Sequence, residues 1–311
     1  MADPEEKGVA EGSAETKEKP KRRVRAKKPA KAAKVAKEPR AKEKKPAAPP
    51  LEAGQVHVYS LDGDVVKTIE LPPVFRSEVR VDLIRRAVTA FQANRRQPYA
   101  ASANAGMRHS VRWSGKGHGV SRVPRIRGTM IGAQAPGTVG GRRAHPPRIQ
   151  AVWAKKINDH ERRLARNAAL AALKDPSLVA SRGHQFKENV SVPVVVEDGI
   201  ESVETDGGAV RAGLRILDQL GVISDVDRAK EGRHIRAGRG KMRGRRYRQP
   251  QSLLIVVKDS NAVRRLFGNL PGVEVVSPAA LNAELLAPGG DPGRLTIFSE
   301  GALEVLRSWS P

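Results

Sequence analysis

The sequence predicts an α/β fold: a single three-layer domain with a largely parallel sheet, a long basic extended loop and a disordered basic N-terminal tail. Three observations carry this. From residue 56 onward, short apolar strand-like runs alternate with amphipathic helical stretches in a mostly βαβα order, which favours parallel strands with helices on both faces. Residues 95–153 show no sustained period of 2 or 3.6, and no acidic residue lies between Asp82 and Asp159. Residues 1–50 are mostly Lys, Ala, Pro and Glu, with no aromatic side chain.

The tail, 1–50, has almost nothing apolar larger than alanine, so it cannot bury enough surface to offset its ordering entropy. Its positive charge gathers over 21–45, as expected of a nucleic-acid-binding arm or of a solvated tail. The globular part, 51–311, opens with a strand over 56–61, a hairpin turn at Asp62-Gly63 and a return strand over 65–71. A helix is predicted over 79–94, because Leu83, Ile84, Ala87, Val88 and Phe91 share one face.

The loop 95–153 interrupts the domain there. A structureless stretch this long argues against an element assignment unless it is functional. Fifteen Arg or Lys residues over 83–158 face no carboxylate in the sequence, a density that a polyanion threaded by the loop would neutralise.

Asn158 and Glu161 then resemble a capping box opening a helix over 159–173. Its apolar side is Leu164, Ala168, Ala171 and Ala172, and Pro176 ends it. A strand follows over 192–196, with Pro193 near its start. A helix over 205–220 carries Val210, Leu214, Leu217 and Leu220 on one face and stops at Gly221. A short strand is read over 222–226. A second acid-free stretch spans 232–258, with its Arg/Gly-rich part at 232–250. The strand at 252–257 is apolar on both faces and reads as central. A short helix over 261–268, a strand over 273–276, a helix over 278–286 started by Pro278, a strand over 295–298 and a helix over 300–307 complete the chain.

Composition narrows the function. Lys and Arg number 57 against 33 Asp and Glu, a net charge of +24. An excess of that size implies a polyanionic counterpart, nucleic acid or an anionic membrane. The membrane is disfavoured, since no apolar run approaches the ~18–20 residues needed to cross a bilayer. No secretory leader is expected at the N-terminus. The absence of cysteine excludes disulfides, thiolate zinc sites and a cysteine nucleophile, and fits a reducing cytosol.

Catalytic patterns fail on spacing. Gly115-Lys116-Gly117-His118-Gly119 lacks the four residues between glycines and the flanking strand and helix of a phosphate-binding loop. Gly238-Arg239-Gly240 begins like a dinucleotide fingerprint, but Arg243 stands where the third glycine is required. His160-Glu161 lacks a second histidine, because position 164 is leucine. No cofactor and no metal are expected. An RNA-modifying enzyme on a doubly wound sheet would need a glycine-rich cofactor turn after the first strand, where Asp62-Gly63 stands instead.

The binding pattern is positive. Phosphate recognition uses arginine or lysine and closely approaching backbone, which interleaved glycine permits. Arginine adds a planar fork for bidentate phosphate contact and a face for stacking on bases, a combination suited to folded RNA. The residues expected to bind are Arg95, Arg96, Arg108, Arg112, Trp113, Lys116, His118, Arg122, Arg125, Arg127, Arg142, Arg143, His145 and Arg148 in the loop. In the second stretch they are Arg233, Arg236, Arg239, Lys241, Arg243, Arg245, Arg246, Tyr247 and Arg248. Trp113 and Tyr247 either stack on bases or pack on their own domain. A generic nucleic-acid-compacting protein is the alternative reading; it predicts little preference between RNA and duplex DNA.

Several strings, in order, resemble the universal large-subunit ribosomal proteins of the L-four family in their archaeal and eukaryotic form. They are Asp82-Leu83-Ile84 with Gln92-Ala93-Asn94-Arg95, Gly119-Val120-Ser121-Arg122-Val123-Pro124-Arg125 with Arg127-Gly128, and Gly141-Arg142-Arg143-Ala144-His145-Pro146-Pro147. Further on come Arg182-Gly183-His184, Arg243-Gly244-Arg245-Arg246-Tyr247-Arg248 and Leu286-Ala287-Pro288-Gly289-Gly290-Asp291-Pro292-Gly293-Arg294-Leu295-Thr296. The Ala-His-Pro-Pro string is of the archaeal kind. The resemblance implies a non-enzymatic, cytoplasmic protein of the large ribosomal subunit. Its implied partners are large-subunit rRNA, neighbouring large-subunit proteins and the nascent peptide. It further implies that the long loop reaches the wall of the peptide exit tunnel, with Arg112, Trp113, Lys116 and His118 tunnel-lining. His118 departs from the residue type usual at that place, and the 1–50 tail has no counterpart to carry over.

Overall fold

A computed structural model of the chain describes residues 51–52, 54–203 and 208–310. The tail expected over 1–50 and the predicted helix start at 205 lie outside the described residues.

Alternation along short β-branched strands builds the middle layer. Strands β1 (Gln55–Tyr59) and β2 (Val65–Glu70) form the predicted hairpin around Asp62-Gly63. With β5 (Val194–Val196), β8 (Leu254–Val256), β9 (Glu274–Val276) and β10 (Thr296–Ser299) they make a six-stranded sheet of order β2-β1-β5-β10-β8-β9. Every pairing is parallel except β1 with β2. The central strands are buried on both faces, because successive side chains enter different cores.

Helices α1 (Val81–Asn94), α2 (Asp159–Ala171), α7 (Ala283–Leu286) and α8 (Glu300–Arg307) meet Val58, Val195, Leu254, Val256 and Phe298 on one face. Phe75 and Phe298 pack edge to face there, with ring centroids 5.9 Å apart. Helices α4 (Ala209–Gln219), α5 (Ile223–Glu231) and α6 (Ser260–Phe267) meet Val194, Val196, Ile255 and Ile297 on the other. The expected three-layer α/β architecture with a largely parallel sheet is therefore present.

Several local readings need correction. Residues 223–226 begin α5, with Val222 at its N-cap, and are not a strand: Val222, Val226 and Ala229 are buried on one side, and the run was too short to separate the two periods. Leu164 is 49% exposed, and the inner side of α2 is built from Ala165, Ala168, Ala169 and Leu170, letting the helix sit close to α1. Pro176 does more than end the preceding helix, since it is the first residue of α3 (Pro176–Ser181), where its missing N–H costs nothing. The predicted helix over 278–286 splits into a 3-10 turn, Pro278–Ala280, and α7. Asn158 caps α2 as predicted, accepting from His160 N at 2.9 Å, but Glu161 pairs with Arg86 at 3.1 Å across the α1–α2 contact.

Candidate nucleic-acid interface

The loop leaves α1 at Arg95 and returns before α2, and its two ends are fastened together. Asn94 Oδ1 accepts from Lys155 N at 2.9 Å, Arg96 lies 4.3 Å over the Trp153 ring, and Arg95 pairs with Glu284 of α7. Beyond this base the chain folds back on itself through β3 (Val111–Trp113) and β4 (Pro124–Ile126), an antiparallel pair with Arg112 opposite Arg125. Neither strand has a legible period in the sequence, since each is three residues long.

Hydrogen bonds hold the loop more than packing does. Gln134 donates to Met107 O at 3.0 Å and to His109 O at 2.5 Å, while Arg125 donates to Met130 O and to Ser121 Oγ at 3.1 Å. Ala133 is the one buried side chain over 95–153. The β3–β4 turn carries Lys116 and His118 on a backbone that passes through Gly115, Gly117 and Gly119 with φ of 79°, 85° and 65°. Other residues rarely adopt that conformation. Arg112 and Trp113 sit on β3 and reach the same end; Trp113 is 54% exposed.

The second segment is a smaller hairpin, β6 (His234–Ile235) against β7 (Tyr247–Arg248). Arg236 fastens it, donating through its backbone to Arg246 O at 2.8 Å and through Nε to Arg245 O at 3.0 Å. Arg233 stacks on Tyr247 at 4.3 Å, so that ring packs within its own segment on at least one face.

The structure brings the predicted residues together in these two segments. Arg125, Arg142 and Arg236 are half-buried, and the other predicted residues are exposed. Apart from Arg95, none of them forms an ion pair among the described residues.

The two edges of the parallel sheet differ in charge. Open α/β enzymes bind ligands beyond the carboxyl ends of their strands. Here that edge is closed by carboxylates bound to the chain's own amides. Glu201 accepts from Lys258 N at 2.8 Å, Asp259 N at 3.2 Å and Ser299 Oγ at 3.0 Å; Asp198 accepts from Gly301 N at 2.8 Å. The amino edge is basic. Arg294, fully buried, ties β8, β9 and β10 there through Ser252 O at 2.9 Å, Leu253 O at 3.2 Å and Glu274 at 2.6 Å.

Beside Arg294 the buried Asp225 accepts from Ser252 Oγ at 2.6 Å, Arg228 Nε at 2.9 Å and Gln185 N at 3.1 Å, and lies 3.0 Å from His184 Nδ1. Burial alone would push the Asp225 carboxyl up; the hydrogen bonds from His184, Arg228 and Ser252 outweigh it and hold the group at about 2. Sequence reading missed Arg85, Arg182 and Arg228, which also reach this edge. They are far apart in the chain, and only the Arg182-Gly183-His184 string signalled any of them.

No group of three or more histidine and acidic side chains suited to a metal occurs among the described residues, and none of their helices is long and apolar enough to cross a membrane.

The profile of the Ribosomal protein L4/L1 family matches residues 69–309. The chain belongs to that family. It is also 47% identical over 253 residues to the large ribosomal subunit protein uL4 of Thermoplasma acidophilum, covering 81% of this chain and 97% of that one. The uL4 protein of Methanothrix thermoacetophila is 49% identical over 249 residues, 80% of this chain and 97% of its own length. That of Halobacterium salinarum is 46% identical over 250 residues, 80% and 98%. These relatives are archaeal, in keeping with the Ala-His-Pro-Pro string, and the family is structural, not enzymatic.

Proposed function

We propose that the chain is a structural constituent of the large ribosomal subunit, and that its two arginine-rich segments bind and organise large-subunit rRNA. The observation that carries this reading is the loop itself. Exposed, unpaired arginines line a stretch with almost no core of its own. A segment of that kind gains its order from a partner, and a dense array of phosphates is the partner its charge fits. Each arginine or lysine that meets a phosphate releases condensed counterions, so binding weakens steeply with salt.

In this reading the body lies against rRNA and neighbouring large-subunit proteins in the cytoplasmic ribosome. The β3–β4 turn carries Arg112, Trp113, Lys116 and His118 to the wall of the peptide exit tunnel, within reach of the nascent peptide. Trp113, on the exposed end of β3, is free to stack on a base or to face the tunnel.

The test is a competition assay in moderate salt. The full chain is offered large-subunit rRNA against equal masses of transfer RNA and duplex DNA, beside a version with 95–153 replaced by a short Gly/Ser linker. The expected result is a strong preference for rRNA that the replacement reduces. Equal binding to all three nucleic acids would overturn specific recognition in favour of generic compaction.

A further inference from the structure

The amino edge of the sheet opens into a cleft of about 840 Å³ that the second arginine-rich segment lines only in part. Its walls come from four places in the chain: Arg85 on α1, Arg182 after α3, Arg228 on α5 and Arg248 on β7. Asp291 is the one carboxylate among its lining residues, and it pairs with Arg85 at 3.0 Å. Asp225 lies beneath the floor with its oxygens already taken by His184, Gln185, Arg228 and Ser252.

We propose that this cleft is a third phosphate-binding site, which takes consecutive phosphodiester groups of an RNA strand entering along the β6–β7 hairpin. The inference rests on the rRNA reading above and adds to it residues outside both segments.

Three features support it. The first is an excess of positive charge in a concave place, where low-dielectric walls focus the field: Arg85 is met by Asp291 at 3.0 Å and Arg228 by Asp225 at 2.9 Å, while Arg182 and Arg248 form no ion pair among the described residues. The second is preorganisation. Arg182 donates to Pro288 O at 2.6 Å and to Asp291 O, and Arg228 donates to Gln251 O at 3.0 Å. Carbonyls fix these forks in place and leave N–H groups for an oxyanion, the arrangement that bidentate phosphate contact uses. Burial lowers the Arg182 guanidinium below the usual arginine range, and repulsion from Arg294 adds to it; a bound anion relieves both. The third is continuity. Arg248 belongs to the hairpin and also lines the cleft, so a backbone tracking one reaches the other. The volume is that of a ligand-sized site of about 300–1,000 Å³, roomier than a lone phosphate needs.

The test measures binding of the full chain to large-subunit rRNA fragments over a salt series, with both segments intact. Arg85→Gln and Arg182→Gln are each compared with the unaltered chain, and thermal unfolding checks that each folds. Arg85 is exposed on α1, so Arg85→Gln keeps the comparison valid even if Arg182→Gln destabilises the edge. Each variant is expected to make the slope of log K against log salt shallower by about 0.7–0.9, one phosphate contact. An unchanged slope in a folded Arg85→Gln chain would overturn the site. So would displacement of the RNA by poly-glutamate as effectively as by competitor RNA. The slope is read on any RNA the chain binds, so loss of rRNA preference alone would count against the wider reading and leave the cleft standing.

Discussion

Arginine plays opposite parts in the sheet body and in the long loop. In the body, Arg294 is fully buried, and its donors are met by carbonyls of β8 and its flanks and by Glu274. In the loop, Arg112, Arg122 and Arg127 are exposed and meet no carboxylate among the described residues. The body contains two hydrophobic cores, one on each face of the sheet; the loop buries only Ala133. The same side chain thus completes a fold in one region and stands exposed without a carboxylate in the other. What separates the two roles is whether the surrounding chain can pay the entropy of ordering from its own burial.

The largest effect is expected at Arg294. Arg294→Met removes a buried ion and leaves its carbonyl partners unsatisfied, and should cost about 3–5 kcal/mol of stability. Urea unfolding reads the loss; a change under 1 kcal/mol would mean that the amino edge is not held as described.

Asp225 gives the next effect. Its carboxyl is held at about 2 in the fold, against about 3.9 in an unfolded chain. A depressed acid stabilises the fold above the unfolded value, and that contribution is lost as pH falls from about 4 through 2. Asp225→Asn should flatten this acid limb by roughly 2 kcal/mol. Unfolding free energies of the two chains between pH 2 and 7 should converge at the acid end; parallel curves would contradict the network.

At the loop base, Arg96→Ala removes the stack on Trp153 and should cost about 0.5–1 kcal/mol. The more telling readout is Trp153 fluorescence, which should shift while the body's unfolding midpoint moves little. The smallest stability effect belongs to the loop surface. Arg112→Gln should change unfolding by no more than about 0.5 kcal/mol yet make the salt slope of RNA binding shallower by about 0.7–0.9.

Which parts were legible in the sequence follows from the same contrast. The Asp62-Gly63 hairpin, α1 and α8 were readable because local turn chemistry and periodicity agree with their final packing. The loop was readable as an interruption because its charge has no local answer. Residues 222–226 misled because three apolar positions in five residues fit either period, and α2 misled at Leu164 because its inner side is largely alanine, a weak signal. The amino-edge arginines were hidden for a topological reason. Arg85, Arg182 and Arg228 sit on elements that read as ordinary amphipathic or connecting segments, and only the crossing of those elements at one end of the sheet makes them neighbours.

If the body orders itself while RNA orders the loop, amide hydrogen exchange on the full chain, free and bound to large-subunit rRNA, will separate the two regions. Slow exchange is expected in β5, β8 and β10 in both states. Over 95–153, fast exchange is expected in the free chain and strong protection in the complex. Protection of 95–153 in the free chain comparable to that of the central strands would contradict ordering by RNA.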